Sequence, residues 1–251
     1  MSPIPEHLPS SISRAIQHVL TALRKQKNNP ITAVMLYGSY ARGDFVVDRS
    51  NINLLIVATD YPLEWLQRIG PLQARWRKDG VVAPLMLTEQ ELQDSLGLFP
   101  LEFLEMKDQS VLLEGQDPFL ACHLNLAHLL VQCEQEIRGN LLRVRQRFVE
   151  GWGRPEAIQT LLPISLVALL PCIRGLFHLL NHSPDGTTQT VLEQVEPVLN
   201  VKNEVLLEVL SMKRGVSTPG RIELPRLFER YLETLKNLVN RIQDLKRSEH
   251  L

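Results

Sequence analysis

YGSYARGDFVVDRSNINLLIV, residues 37–57, joins two apolar strands through a glycine turn. Just upstream, Ile31 to Tyr37 is short and nearly all apolar, as a strand at the buried centre of a sheet must be. Gly38 follows at once, and glycine lets the backbone turn sharply and lets a ligand approach closely. Ser39 stands where a short helix begins. Helix starts present N–H groups without intrahelical acceptors and a partial positive charge, and phosphate oxygens bind there. Ser39 adds a hydroxyl, and Arg42 and Gly43 follow within one turn. Ile52 to Ala58 reads as a second buried strand. Asn51 and Asn53, two residues apart, point to one side of it, with Ile52 and Leu54 on the other. An ordinary strand-to-helix turn, with Arg42 paired to Asp44 or Asp48, is the plainer alternative.

Residues 31–60 resemble the minimal nucleotidyltransferase domains, a group that includes the aminoglycoside nucleotidyltransferases. Residues 84–119 resemble bacterial nucleotidyltransferase-domain proteins with an α-helical C-terminal domain, most clearly at Phe99-Pro100-Leu101-Glu102-Phe103-Leu104-Glu105-Met106-Lys107 and Leu113-Glu114-Gly115-Gln116-Asp117-Pro118. The resemblance implies an α/β (α+β) nucleotidyltransferase domain with a small mixed sheet over residues 1–117, then an all-α helical bundle over 118–251. It also implies a nucleoside triphosphate (NTP) as ligand, its phosphates held by Gly38, Ser39 and Arg42.

In active members of that superfamily, two acids flank one apolar residue on the second strand. With a third acid from a neighbouring strand they hold Mg²⁺, which neutralises the triphosphate and activates the attacking hydroxyl. Here those positions are Asn51 and Asn53. An amide offers a neutral carbonyl oxygen, whereas Mg²⁺ dehydrates reluctantly and is bound through carboxylates as well as phosphates. The next strand-like stretch, Val81 to Leu87, has no acid before Glu89. On Coulomb grounds each lost carboxylate weakens metal capture by about a few kcal/mol. The expectation is a nucleotidyltransferase-superfamily protein that binds NTP with weak or no transfer, Mg²⁺ being doubtful.

Two alternatives stay open. One is an active Mg²⁺-dependent transferase passing a nucleoside monophosphate to a small molecule or protein, with Asp48 replacing the lost acids. The other is a helical interaction protein with a vestigial nucleotide site. Glu102 and Glu105 are further conceivable metal partners, sharing a face in a helix and pointing apart in a strand.

The rest of the composition is ordinary. Of 251 residues, 44% are hydrophobic and 22% charged, with a net charge of −1, which describes a globular chain with no basic stripe for nucleic acid. Cys122, Cys133 and Cys172 match no disulfide framework and, with His123 and His128, no zinc spacing; they read as core residues of a reducing compartment. The N-terminus has no signal-peptide pattern. The apolar run Leu161 to Leu180 is interrupted by Pro163, Pro171, Arg174, Gly175 and His178, and reads as a buried helix pair rather than a span. A cytoplasmic protein is expected.

Residues 1–117 alternate helical and strand-like segments, the α/β pattern. Ser10 or Ser11 is a candidate cap for a first helix reaching Gln26. Leu63 to Trp76 reads as a helix disturbed at Gly70-Pro71, and Thr88 with Glu91 as a capping box. Ser110 to Glu114 is a last strand. Beyond Pro118 the pattern is helical, ending in an apolar stripe from Leu227 to Leu245 and consistent with a bundle that could pair as a homodimer. Arg174 and His178, neighbours on one helix, could line a cleft facing the nucleotide domain. The Arg–His spacing of the HEPN-type RNases is not met by Arg174 with either His178 or His182.

Overall fold

A computed structural model of the chain describes residues 4–43, 45–46, 50–182 and 187–247. They form two compact units, one ending at Leu124 and one starting at Asn125. Residues 118–124 thus lie with the first unit. Phe119 and Cys122 are buried there beside Ala33, Met35, Leu55 and Val57.

The first unit is built on a four-stranded mixed sheet of order β3-β2-β1-β4. Strand β1 (Ile31–Tyr37) is central and antiparallel to both β2 (Asn53–Ala58) and β4 (Val111–Gly115), while β3 (Leu85–Thr88) runs parallel to β2. Both faces of the sheet are covered, which explains why the central strands carry apolar residues on both sides. Val34, Leu36, Leu54 and Ile56 face α1 (Ser10–Arg24) and α3 (Leu63–Lys78), through Ile16, Val19, Leu20, Leu23, Trp65 and Ile69. Ala33, Met35, Leu55 and Val57 face α4 (Glu89–Leu98) and α5 (Pro100–Gln109), through Leu92, Leu96 and Phe103.

Several boundaries differ from the sequence expectation for physical reasons. Helix α1 begins at Ser10 after Pro9, with no side-chain cap, and stops at Arg24, where Asn29 Nδ2 donates to Leu23 O at 3.3 Å. Helix α3 runs unbroken through Pro71. An internal proline costs about 3 kcal/mol, and burial of Trp65, Ile69 and Trp76 on one stripe outweighs it at roughly 1.5–3 kcal/mol for each large apolar side chain. Helix α4 opens on the expected box, Thr88 Oγ1 accepting from Glu91 N at 3.2 Å and Glu91 Oε2 from Thr88 N at 2.8 Å. Strand β4 closes at Gly115 (φ 88°), where a Cβ would fall 1.9 Å from Thr32 O.

The second unit contains α6 (Leu126–Glu150), α7 (Pro155–Leu179), α8 (Thr188–Glu193), α9 (Val195–Leu199), α10 (Glu204–Lys213) and α11 (Glu223–Arg247). The apolar run expected to form a helix pair belongs to one continuous helix, α7, with Pro163 and Pro171 inside it. By length and composition α7 could cross a membrane; half of its most apolar window is buried, with Leu162, Leu166, Leu169, Ile173 and Leu176 fully covered. No disulfide forms. Burial pushes the Cys133 thiol well above its ordinary range, and the neighbouring Cys172 adds to this.

Candidate functional site

The glycine turn sits where β1 ends. Gly38 has φ 79° and ψ −155°, a conformation essentially confined to glycine. It leads into α2 (Ser39–Arg42), one turn closed by Arg42 N donating to Gly38 O at 3.1 Å. Tyr40, the buried residue of that turn, stacks on Phe45 with ring centroids 4.7 Å apart. Gly43, in the left-handed region, ends the helix.

Asn53 is paired with Tyr37 across the β1–β2 ladder, which places it beside the turn. A Cβ on Gly38 would lie 2.8 Å from Asn53 Nδ2 and 3.7 Å from its Cγ. The missing side chain of Gly38 is the space that the Asn53 amide uses. By the alternation of the pleat, Asn53 shares the sheet face of Leu55 and Val57, the face covered by α4 and α5. Strand β2 begins only at Asn53; Ile52 makes an isolated bridge to Val81, its N–H donating to Gly80 O at 2.9 Å, and Asn51 before it is exposed.

Arg42 is engaged by a residue far along the chain. Its guanidinium forms an ion pair with Glu105 of α5, both side chains largely covered. The acids proposed as its local partners, Asp44 and Asp48, lie outside the described residues, and so does Asp48 as a substitute metal ligand. Glu102 and Glu105 lie on a helix, Glu102 exposed and Glu105 half-buried. His7 also borders the turn, its Nε2 donating to Tyr40 O at 3.1 Å, and it lies 3.9 Å from a Cβ built on Gly43. No spacing in the sequence links His7 to this turn; only the path of the chain before α1 does. Arg174 belongs to the second unit, half-buried on α7.

The donor set can be weighed against Mg²⁺. The residue presented at the turn is an amide, and among the described residues no three His, Cys, Asp or Glu side chains converge. Such a set does not fit a hard dication that takes carboxylate oxygens. The same turn carries the Ser39 hydroxyl and Arg42, whose guanidinium meets the Glu105 carboxylate.

No family model and no curated protein matches the chain. Among solved structures it is similar to the spectinomycin adenyltransferase of Enterococcus faecialis, determined with ATP and spectinomycin. The TM-score is 0.55 at 12% identity, over 92% of this chain and 99% of that one. At that identity the likeness is one of fold. It spans almost all of both chains, so a nucleotidyltransferase-like domain followed by a helical region is the architecture here, as the motif implied.

Proposed function

We propose that the turn at Gly38 and Ser39 binds the phosphates of a nucleoside triphosphate, and that Asn51 and Asn53 leave the site with weak or no nucleotidyl transfer. The observation that carries this reading is the seat of Asn53 against Gly38. It supports reading the turn and position 53, a metal-acid position by the resemblance, as one site, on a fold shared with an enzyme solved with ATP. A carboxylate at position 53 would repel phosphate unless a cation stood between them. An amide has no charge and two N–H donors, so it can meet a phosphate oxygen directly. The substitution that removes the metal thus also removes the need for one in binding.

Calorimetric titration of the full chain with ATP and the other NTPs, with Mg²⁺ and then with EDTA, tests the reading. The expected result is binding that survives EDTA. Binding that requires Mg²⁺ would overturn it in favour of a metal-dependent enzyme. As a second arm, the double variant Asn51→Asp with Asn53→Asp is expected to bind ATP only with Mg²⁺, its two carboxylates repelling the bare triphosphate.

A further inference from the structure

No basic run marks the sequence, yet the fold gathers cations on one side of the first unit. Residues 7–43 contain no Asp or Glu. Positions 10–27 and 63–79, which make up α1, α3 and the residues just after them, hold eight Lys and Arg against Glu64 and Asp79. Both helices pack on the same sheet face. Arg68 Nη2 donates to Lys27 O at 3.2 Å, and His18 Nδ1 lies 3.9 Å from Asp79 Oδ2. These two links set α1 and α3 side by side and antiparallel. Arg24 is taken up by Glu114. Arg14, Lys25, Lys27, Arg68, Arg75 and Lys78 are exposed, and none of them is in an ion pair among the described residues. Where Arg14 and Arg68 do bond, the acceptor is a neutral backbone carbonyl, so the charge stays uncompensated. On the other sheet face α4 and α5 carry six Asp and Glu against Lys107. A net charge of −1 therefore conceals a basic face and an acidic one.

We propose that the exposed face of α1 and α3 binds double-stranded nucleic acid through its phosphates. A duplex presents about one negative charge per 1.7 Å of its axis. Arg14 to Lys25 spans about 16 Å of helix at 1.5 Å per residue. Arg68, Arg75 and Lys78 run alongside on α3, so one rigid face meets several phosphates. A single strand is held by stacking its bases on exposed aromatic rings, and the aromatic residues of these two helices, Trp65 and Trp76, are buried. A membrane surface takes large apolar side chains among the cations, and those exposed on α3, Leu63 and Leu66, stand in its first turn. The acids of α4 and α5 repel a polyanion from the opposite side, which orients its approach. Contacts to phosphate carry no base information, so the binding is independent of sequence.

The test is fluorescence anisotropy of the full chain with a labelled DNA duplex, a duplex of unrelated sequence and a single strand, over a range of salt. Polyglutamate and phosphatidylglycerol vesicles serve as competitors. Both duplexes are expected to bind alike and more tightly than the single strand. Log affinity should fall against log salt with a slope of about −4, as for four or five phosphates at about −0.9 each. The variants Arg75→Ala/Lys78→Ala and Lys25→Ala/Lys27→Ala, on different helices, are each expected to lower the slope by about two and to weaken the duplex at least about tenfold near 50 mM salt. Lys202→Ala/Lys213→Ala, which removes two exposed cations of the second unit, should bind like wild type. Circular-dichroism melts identify the folded variants, and either ridge pair suffices if the other is disturbed. No duplex binding at low salt overturns the inference. So does an equal loss in the Lys202/Lys213 variant, which would make the effect one of total charge. Tighter binding of the single strand, or stronger competition by polyglutamate or vesicles than by unlabelled duplex, overturns it too.

Discussion

At Gly38 one residue meets two requirements that no other residue type satisfies together. Its φ of 79° with ψ −155° lies in a region that costs a side-chain-bearing residue of order 1–3 kcal/mol, and the space a methyl would fill holds the Asn53 amide. Gly38→Ala is therefore expected to lower unfolding stability by about 1–3 kcal/mol in urea titration and to weaken ATP binding, because Asn53 must shift. Unchanged stability and affinity would show that the turn relaxes to an ordinary conformation. The turn from β1 through Gly38 into Ser39–Arg42 is legible in sequence because a glycine after an apolar strand is a local signal with a local cause. The Arg42–Glu105 ion pair and the exposure of Asn51 are not. The first depends on where α5 lies, and the second on β2 starting only where Asn53 meets Tyr37, with Ile52 held instead by Val81 and Gly80.

Helices in the second unit are tied together by a buried polar knot as well as by apolar stripes. Asn140 of α6, Ser165 of α7 and Tyr231 of α11 are all buried. Asn140 Nδ2 donates to Ser165 O at 2.9 Å, Ser165 Oγ donates to Asn140 Oδ1 at 2.6 Å, and Ser165 Oγ lies 2.8 Å from the Tyr231 hydroxyl, which then donates to it. Ser165 is the hub. Ser165→Ala strands two polar atoms at about 1–3 kcal/mol each, whereas Tyr231→Phe removes a donor and leaves Ser165 bonded to Asn140. Urea denaturation should show the serine variant as clearly the less stable; equal losses would mean that Tyr231 does not act through Ser165. The knot is invisible in sequence, where Asn140 and Ser165 look like stray polar residues on apolar helices. Elements themselves were legible wherever period and caps agreed, as at the Thr88–Glu91 box. The sequence misleads where a local breaker opposes tertiary burial: the run read as a helix pair is one helix, which Pro163 and Pro171 do not end. In the third strand the breaker prevailed, for Pro84, without an N–H to give the ladder, precedes a strand confined to Leu85–Thr88.

Each of the two units has apolar material of its own, and this sets how the whole molecule should respond to acid. The clusters on both sheet faces are made of residues up to Leu124, with Phe119 and Cys122 among them, while α6, α7 and α11 bury Leu129, Ile137, Leu166, Ile173, Leu235 and Ile242 among themselves and their neighbours. We therefore expect residues 125–251 to fold as an isolated fragment, visible as a cooperative loss of helical circular dichroism on heating. Within it Glu134 of α6 meets Lys246 of α11 and, one turn along, Arg138 at 2.8 Å. Hydrogen bonding to Lys246 first, and then to Arg138, holds the Glu134 carboxyl below its ordinary value. A folded-state pKa below the unfolded one of about 4.3 gives stability that is fully present above the unfolded value and is lost as pH falls through the folded one. The fragment's melting temperature should therefore drop as pH is lowered from 5 to about 3, and Glu134→Gln should flatten part of that drop while lowering the melting temperature at neutral pH. A fragment that is unfolded at every pH would show instead that the helical unit depends on the sheet-bearing one. That outcome would make the two parts a single folding unit, with the site at Gly38 bearing on the stability of the entire chain.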